Sequence, residues 1–184
     1  MLNTNIIRKP LLVAFAVILA FASLLPLLGV DTVNAAQVTT RSITMSSSVN
    51  AATGVDYDVS FDIGSSHTVG SIAIQFCSNS PIIGDSCTAP GGTFTVDTAT
   101  EAAGAGNDLG TPGTYTKDET ETVANRFVAA VDTASADTAG DTARIVLSGV
   151  TNPSTANTTF YARVFTYTTA ATKRLATVSV SSFV

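Results

Sequence analysis

The segment VDYDVSFDI, residues 55–63, sets Val55, Tyr57, Val59, Phe61 and Ile63 on one side and Asp56, Asp58, Ser60 and Asp62 on the other. A strand repeats every two residues, so this pattern predicts a strand with one face on a core and one in water. VGSIAIQFC (69–77) alternates in the same way, with Ile72, Ile74 and Phe76 together and a milder face of Ser71, Ala73, Gln75 and Cys77. QVTTRSITMSSSV (37–49) alternates loosely and reads as the opening strand. TARIVLSGV (142–150) is a further strand, ended by the turn former Asn152-Pro153. TTFYARVFTYTTA (158–170) carries bulk on both faces, which predicts a central strand or one covered by a neighbour. A short strand is expected at 91–97 and a last one at 174–184.

Two stretches are less regular. Residues 98–118 are rich in glycine and small polar residues and read as one long flexible loop with a brief strand at Tyr115. TVANRFVAAV (122–131) has Val123, Phe127 and Val131 at helical spacing, but its β-branched residues favour a strand. Seven to nine strands with no repeated helical segment predict an all-β domain over 36–184, an antiparallel β-sandwich of immunoglobulin-like architecture. The likeness concerns architecture alone, since the chain has no tryptophan.

The first 35 residues follow another pattern. Arg8 and Lys9 precede a run from Leu11 to Val30 that has no charge. That order is typical of an export signal, and Val33-Asn34-Ala35 offers a cleavage site after Ala35. The run is also about the length of a membrane span, so an uncleaved N-terminal anchor is the alternative; Pro26 and Gly29, late in the run, favour the signal. The chain is therefore expected to be secreted or displayed on the cell surface, touching a membrane only through an uncleaved leader. The whole chain has 14 acidic and 9 basic residues, a formal net charge of −5. Removing the leader takes away one acid and two bases, which argues against a nucleic-acid partner.

An exported chain permits a disulfide, and Cys77 and Cys87 are the only cysteines. Pro81, Gly84 and Asp85 between them favour a chain reversal. A structural staple is the preferred reading over a redox or metal site, and the milder face of the strand predicts that it lies at the sheet surface. The sole histidine, His67, reads as an exposed turn residue. No nucleophile–base motif or phosphate loop is present, so an enzyme is not expected, nor a cofactor or metal. Asp56, Asp58 and Asp62 read as a solubilising face. Asp97, Glu101 and Asp108 in the long loop form a weak calcium candidate, and 118–121 (DETE) reads as a solvated turn. Most aromatics fall at core positions. Tyr115, Tyr161 and Tyr167 are the candidates for an exposed binding surface. Asn157-Thr158-Thr159 matches the N-glycosylation pattern.

The blocks RSITMSSS, SIAIQFCSNSPIIGDSCTAPGG and LSGVTNPSTANTTFYARVFTYT together resemble a group of uncharacterised exported proteins of Saccharibacteria and related candidate-phylum bacteria. The resemblance spans most of the chain beyond the leader. It implies a secreted or surface-displayed β-sandwich with Cys77 joined to Cys87, and it carries no activity or binding residues. Longer members continue beyond the FYAR strand, whereas this chain stops at VSVSSFV, as a short variant or a truncated reading frame; truncation would leave an edge open to strand addition. The expected function is a non-enzymatic structural or interaction protein, through self-association or contact with envelope or host-surface components. The alternative is an adhesin-like module binding a glycan or a host-cell surface.

Overall fold

The computed structural model describes residues 38–109, 115–134 and 136–168, together with the backbone of 179–183. These belong to one compact unit. The leader expected at 1–35 lies outside the described residues, as do 110–114 and the first part of the last expected strand.

The structure is an all-β domain of antiparallel sheets. Among the described residues, eleven strands run in chain order: β1 (Thr39–Met45), β2 (Val55–Asp62), β3 (His67–Thr68), β4 (Ser71–Cys77), β5 (Thr100–Ala103), β6 (Tyr115–Lys117), β7 (Arg126–Val131), β8 (Ala136–Asp137), β9 (Thr142–Val150), β10 (Tyr161–Tyr167) and β11 (Ser179–Phe183). One sheet has the order β1-β2-β9-β5 and the other β11-β10-β4-β7-β6, while β3 and β8 form a separate pair. All pairings are antiparallel.

Alternation explains the register. Val59 of β2 pairs with Ile145 of β9, and both are fully buried. The adjacent pair, Asp58 and Val146, faces away from the core and is only half-buried. In the second sheet Ile74 pairs with Phe127 on one side and Val164 on the other, all three buried. Both sheets contribute to one apolar cluster. Its centre is an aromatic group: Tyr57 of β2 meets Phe76 of β4 edge-on at 5.7 Å, and Phe94 and Phe160 complete it. Burial of this cluster is the main force holding the sheets together. The β2–β9 register shifts between Val55 and Tyr57, and Gly149 opposite takes φ of +94°. A glycine there meets the bulge's backbone demand without steric cost.

Several expectations change. Residues 91–97 form no strand. Phe94 and Val96 are buried, but Thr95 makes only an isolated bridge to Thr151. The stretch 98–118 holds two strands, β5 and β6, and a fully buried Leu109. The strand expected at 122–131 is present as β7, over Arg126–Val131. The turn at 118–121 is not simply solvated, since Asp118 is buried and its carboxylate accepts from the backbone N–H of Thr120 and Glu121. His67 lies in β3, half-buried, with Nδ1 at 2.7 Å from the Ser65 carbonyl.

Cys77 and Cys87 are joined by a disulfide. Cys77 is fully buried, so the bond does not lie exposed on the sheet surface. The reason is that the chain from 78 to 87 folds back over the outer face of β10. Arg163 points outward from the core, opposite Gln75, yet is 2% exposed because this loop covers it. Its Nη2 and Nε donate to the Ser80 carbonyl at 2.8 and 3.2 Å, and Nη1 donates to the Asp85 carbonyl at 2.9 Å. The loop is tied internally as well: the Asn79 amide donates to the Ser86 carbonyl, and the Asn79 side-chain oxygen accepts from the Thr88 N–H.

Candidate functional site

The loops joining β1 to β2 (46–54) and β9 to β10 (151–160) lie side by side at one end of the sheets, and Asn152 holds them together. Its side-chain amide donates to the carbonyls of Ser47 (3.0 Å) and Val49 (2.9 Å). Its side-chain oxygen accepts from the Tyr57 hydroxyl at 2.7 Å. Backbone bonds from Asn152 to Ala52 and from Ala51 to Pro153 complete the seam. Asn152 is buried, and every donor and acceptor of its side chain is used. Sequence reading treats it only as a turn former. Its partners lie about a hundred residues away along the chain, and no local pattern announces such a contact.

Above this seam the loops enclose an open cleft of about 470 Å³. Met45, Val49, Tyr57 and Phe160 are its apolar lining, Tyr57 from a fully buried position. Phe160 is half-buried, and its ring lies nearly parallel to that of Tyr57 with centroids 6.3 Å apart. Met45 is 38% exposed and Val49 63%. These are two of the four exposed large apolar side chains among the described residues, the others being Ile82 and Val123. The rim is polar, with Asn50, Asn157 and Thr158. Among the described residues, no Asp, Glu, Lys, Arg or His lines the cleft.

Burial pushes the Tyr57 hydroxyl up to about 12. An unfolded tyrosine releases its proton near pH 10, while the folded protein retains it, so ionisation favours the unfolded chain. Burial raises Tyr115 in the same direction. Stability is therefore expected to be insensitive to these groups below pH 10 and to fall as pH rises towards 12. Urea melts from pH 8 to 12 test this, and Tyr57→Phe should flatten part of the slope. An unchanged slope in that variant would assign the alkaline loss elsewhere.

The three tyrosines expected to form a binding surface are not brought together. Tyr115 faces the core from β6, is 8% exposed, and donates its hydroxyl to the Asn107 side chain. The inward side of its strand explains the difference: its partner Val131 is also a core residue. Tyr161 and Tyr167 do share the outer face of β10, but at opposite ends, roughly 20 Å apart by the rise of a strand. Arg163 and Phe165 lie between them on that face. Both tyrosines are half-buried.

Two of the three aspartates on β2, Asp58 and Asp62, have partners. Arg144 of β9 makes a forked contact with Asp58, at 2.6 Å from Nη2 to Oδ2, and its Nη1 donates to the Ala105 carbonyl. The hydrogen bond from Arg144 holds the Asp58 carboxyl below the usual range. Asp62 accepts from the Thr142 hydroxyl at 2.8 Å. Together with Ser42, Thr44, Ser60 and Thr142, Asp58 and Arg144 line a polar groove of about 260 Å³ on the outer face of the sheet, its carboxylate already neutralised. Of the calcium candidates, Glu101 accepts from the Lys117 N–H. Among the described residues, no three His, Cys, Asp or Glu side chains are grouped to hold a metal.

Comparison with protein-family models, with curated proteins and with solved structures finds no match for this chain.

Proposed function

We propose that this is an exported, non-enzymatic interaction protein that contacts its partner through the cleft between the 46–54 and 151–160 loops. The observation that carries the reading is the concentration of exposed apolar surface there. Scattered exposed apolar residues are ordinary, but a concave group with an aromatic lining is the usual form of a recognition site. The disulfide fits a chain that works outside the cell, as the leader pattern suggests. The secreted or surface location and the resemblance to exported proteins of Saccharibacteria belong to the same proposal.

The domain is read as a β-sandwich of immunoglobulin-like architecture. The shared core supports this, and so does the strand order. In space, β1-β2-β9-β5 and β11-β10-β4-β7-β6 follow the ABED and GFCC′C″ order of an immunoglobulin variable domain. The connections differ: β5, β6 and β7 fill the D, C″ and C′ places in the reverse of chain order. The disulfide differs too, since it joins a strand to its own following loop.

Assembly through an open strand edge is less well supported. The C-terminal strand β11 is an edge of its sheet, as are β6, β5 and β1; of these β1 is interrupted, its register breaking between Thr39 and Ser42, where Thr40 has φ of +46°. A bulge of this kind interrupts the ladder that another chain would extend.

Binding of the labelled protein to intact producing cells, or to the cells they live with, tests the reading. Val49→Lys places a charge in the cleft lining at an exposed position and should reduce binding at least tenfold without lowering the melting temperature. Undiminished binding would reject the cleft as the contact site.

A further inference from the structure

The cleft's chemistry narrows what it can hold, and this step rests on the interaction reading above. We propose that the cleft binds an uncharged saccharide unit of a surface glycan.

The first argument is charge. Among the described residues, the one ionisable group lining the cleft is the Tyr57 hydroxyl, which is already committed to Asn152. A charged ligand entering here would lose hydration and meet no opposite charge, a cost that disfavours it strongly. Uronates, sulfated sugars, phosphates and charged peptide side chains are therefore poor occupants. The charged groove on the outer face of the sheet offers them nothing better, because Asp58 and Arg144 already neutralise each other.

The second argument is the pairing of apolar lining and polar rim. Phe160 is half-buried and lines the cleft, an aromatic residue of the kind against which the C–H face of a pyranose can rest. Asn157 is exposed at the tip of the 151–160 loop with φ of +55°, held by a turn in which the Thr158 hydroxyl donates to the Thr155 carbonyl at 2.7 Å. Asn50 also lines the cleft, its side-chain amide donating to the Ser154 carbonyl at 3.3 Å. Each carboxamide both donates and accepts, which matches a sugar hydroxyl that does the same. A lipid chain would find this rim too polar, and a charged headgroup would find no partner.

The third argument is size. About 470 Å³ lies at the lower end of the range for small-ligand sites. It suits one or two sugar rings and leaves the remainder of a chain outside.

The test uses the purified full chain. Lactose, maltose, cellobiose and N,N′-diacetylchitobiose serve as neutral probes, with a galacturonic acid disaccharide and a sulfated chondroitin disaccharide as charged controls. Binding is followed by calorimetry and by NMR shifts of the Asn side-chain amides. At least one neutral disaccharide should bind and shift the Asn50 and Asn157 amides. Asn157→Ala with Asn50→Ala should weaken it tenfold or more while leaving thermal melting in place. Equal or tighter binding of the charged sugars would overturn the inference, as would binding that survives the double substitution. If no sugar binds but Val49→Lys still removes cell binding, the saccharide is wrong and the interaction site stands. If neither occurs, both readings fall.

Discussion

Replacing Arg163 by methionine is expected to lower the unfolding free energy by about 2–4 kcal/mol. Methionine fills a similar volume and removes the guanidinium, so the change tests the hydrogen bonds rather than the packing. The carbonyls of Ser80 and Asp85 would lose their donor under a loop that shields them from water. Among the described residues every buried side-chain polar atom has a partner, and unpaired buried acceptors are costly. No carboxylate forms an ion pair with Arg163 among the described residues. The loss is therefore one of donors, not of a balanced charge pair. Arg163→Lys should restore only part of the stability, because a single ammonium cannot reproduce the planar fork that serves both carbonyls. The disulfide fastens the same loop, so the two devices should be coupled. In a background with both Cys77→Ser and Cys87→Ser, Arg163→Met should cost less than in the parent, a non-additivity that a double-mutant cycle measures directly. Denaturant melts and hydrogen exchange over 78–87 are the readouts. A variant within about 0.5 kcal/mol of the parent would mean that the loop rehydrates freely.

Arg163 also shows how far side-chain pattern carries in this fold. β2 and β9 were readable residue by residue, because each has one buried and one wetter face and the period of two is unmistakable. β10 was readable as a strand with two covered faces, but the cover on its outer face is a loop from elsewhere in the chain, and local pattern has no term for that. Alternation misleads at 91–97, where Phe94 and Val96 enter the core from a segment that makes a single bridge in place of a ladder. The opposite failure occurs at β5. Ala102 and Ala103 are exposed, and the strand exists through its backbone pairing with β9, which composition cannot register. Tyr115 is misjudged for a related reason: a three-residue strand is too short for a period to show which side faces inward. The disulfide was legible because only two cysteines exist and turn formers lie between them. The cleft was not, because its lining comes from loops about a hundred residues apart whose meeting depends on Asn152.

Asn152→Ala is expected to cost about 3 kcal/mol and to dismantle the cleft at the same time. Three groups lose their partner together: the Tyr57 hydroxyl and the carbonyls of Ser47 and Val49. Water can reach the two carbonyls once the loop lifts, but the Tyr57 ring lies wholly within the aromatic cluster, and its hydroxyl is held there by this bond. Asn152→Asp separates shape from hydrogen bonding. It keeps the acceptor for Tyr57 but removes both donors to the loop and adds a buried negative charge, so it should be at least as destabilising as alanine at neutral pH and recover in part as the carboxyl is protonated in acid. Tyr57→Phe removes only one of the three bonds and should cost about 1 kcal/mol, leaving the loop seam intact. The order of the three variants is the critical result. If the loop seam forms the site, ligand or cell binding should be lost in both Asn152 variants and retained in Tyr57→Phe. Binding that follows global stability across all three, with no separate loss at Asn152, would mean that Asn152 serves the core alone and that recognition takes place elsewhere on the surface.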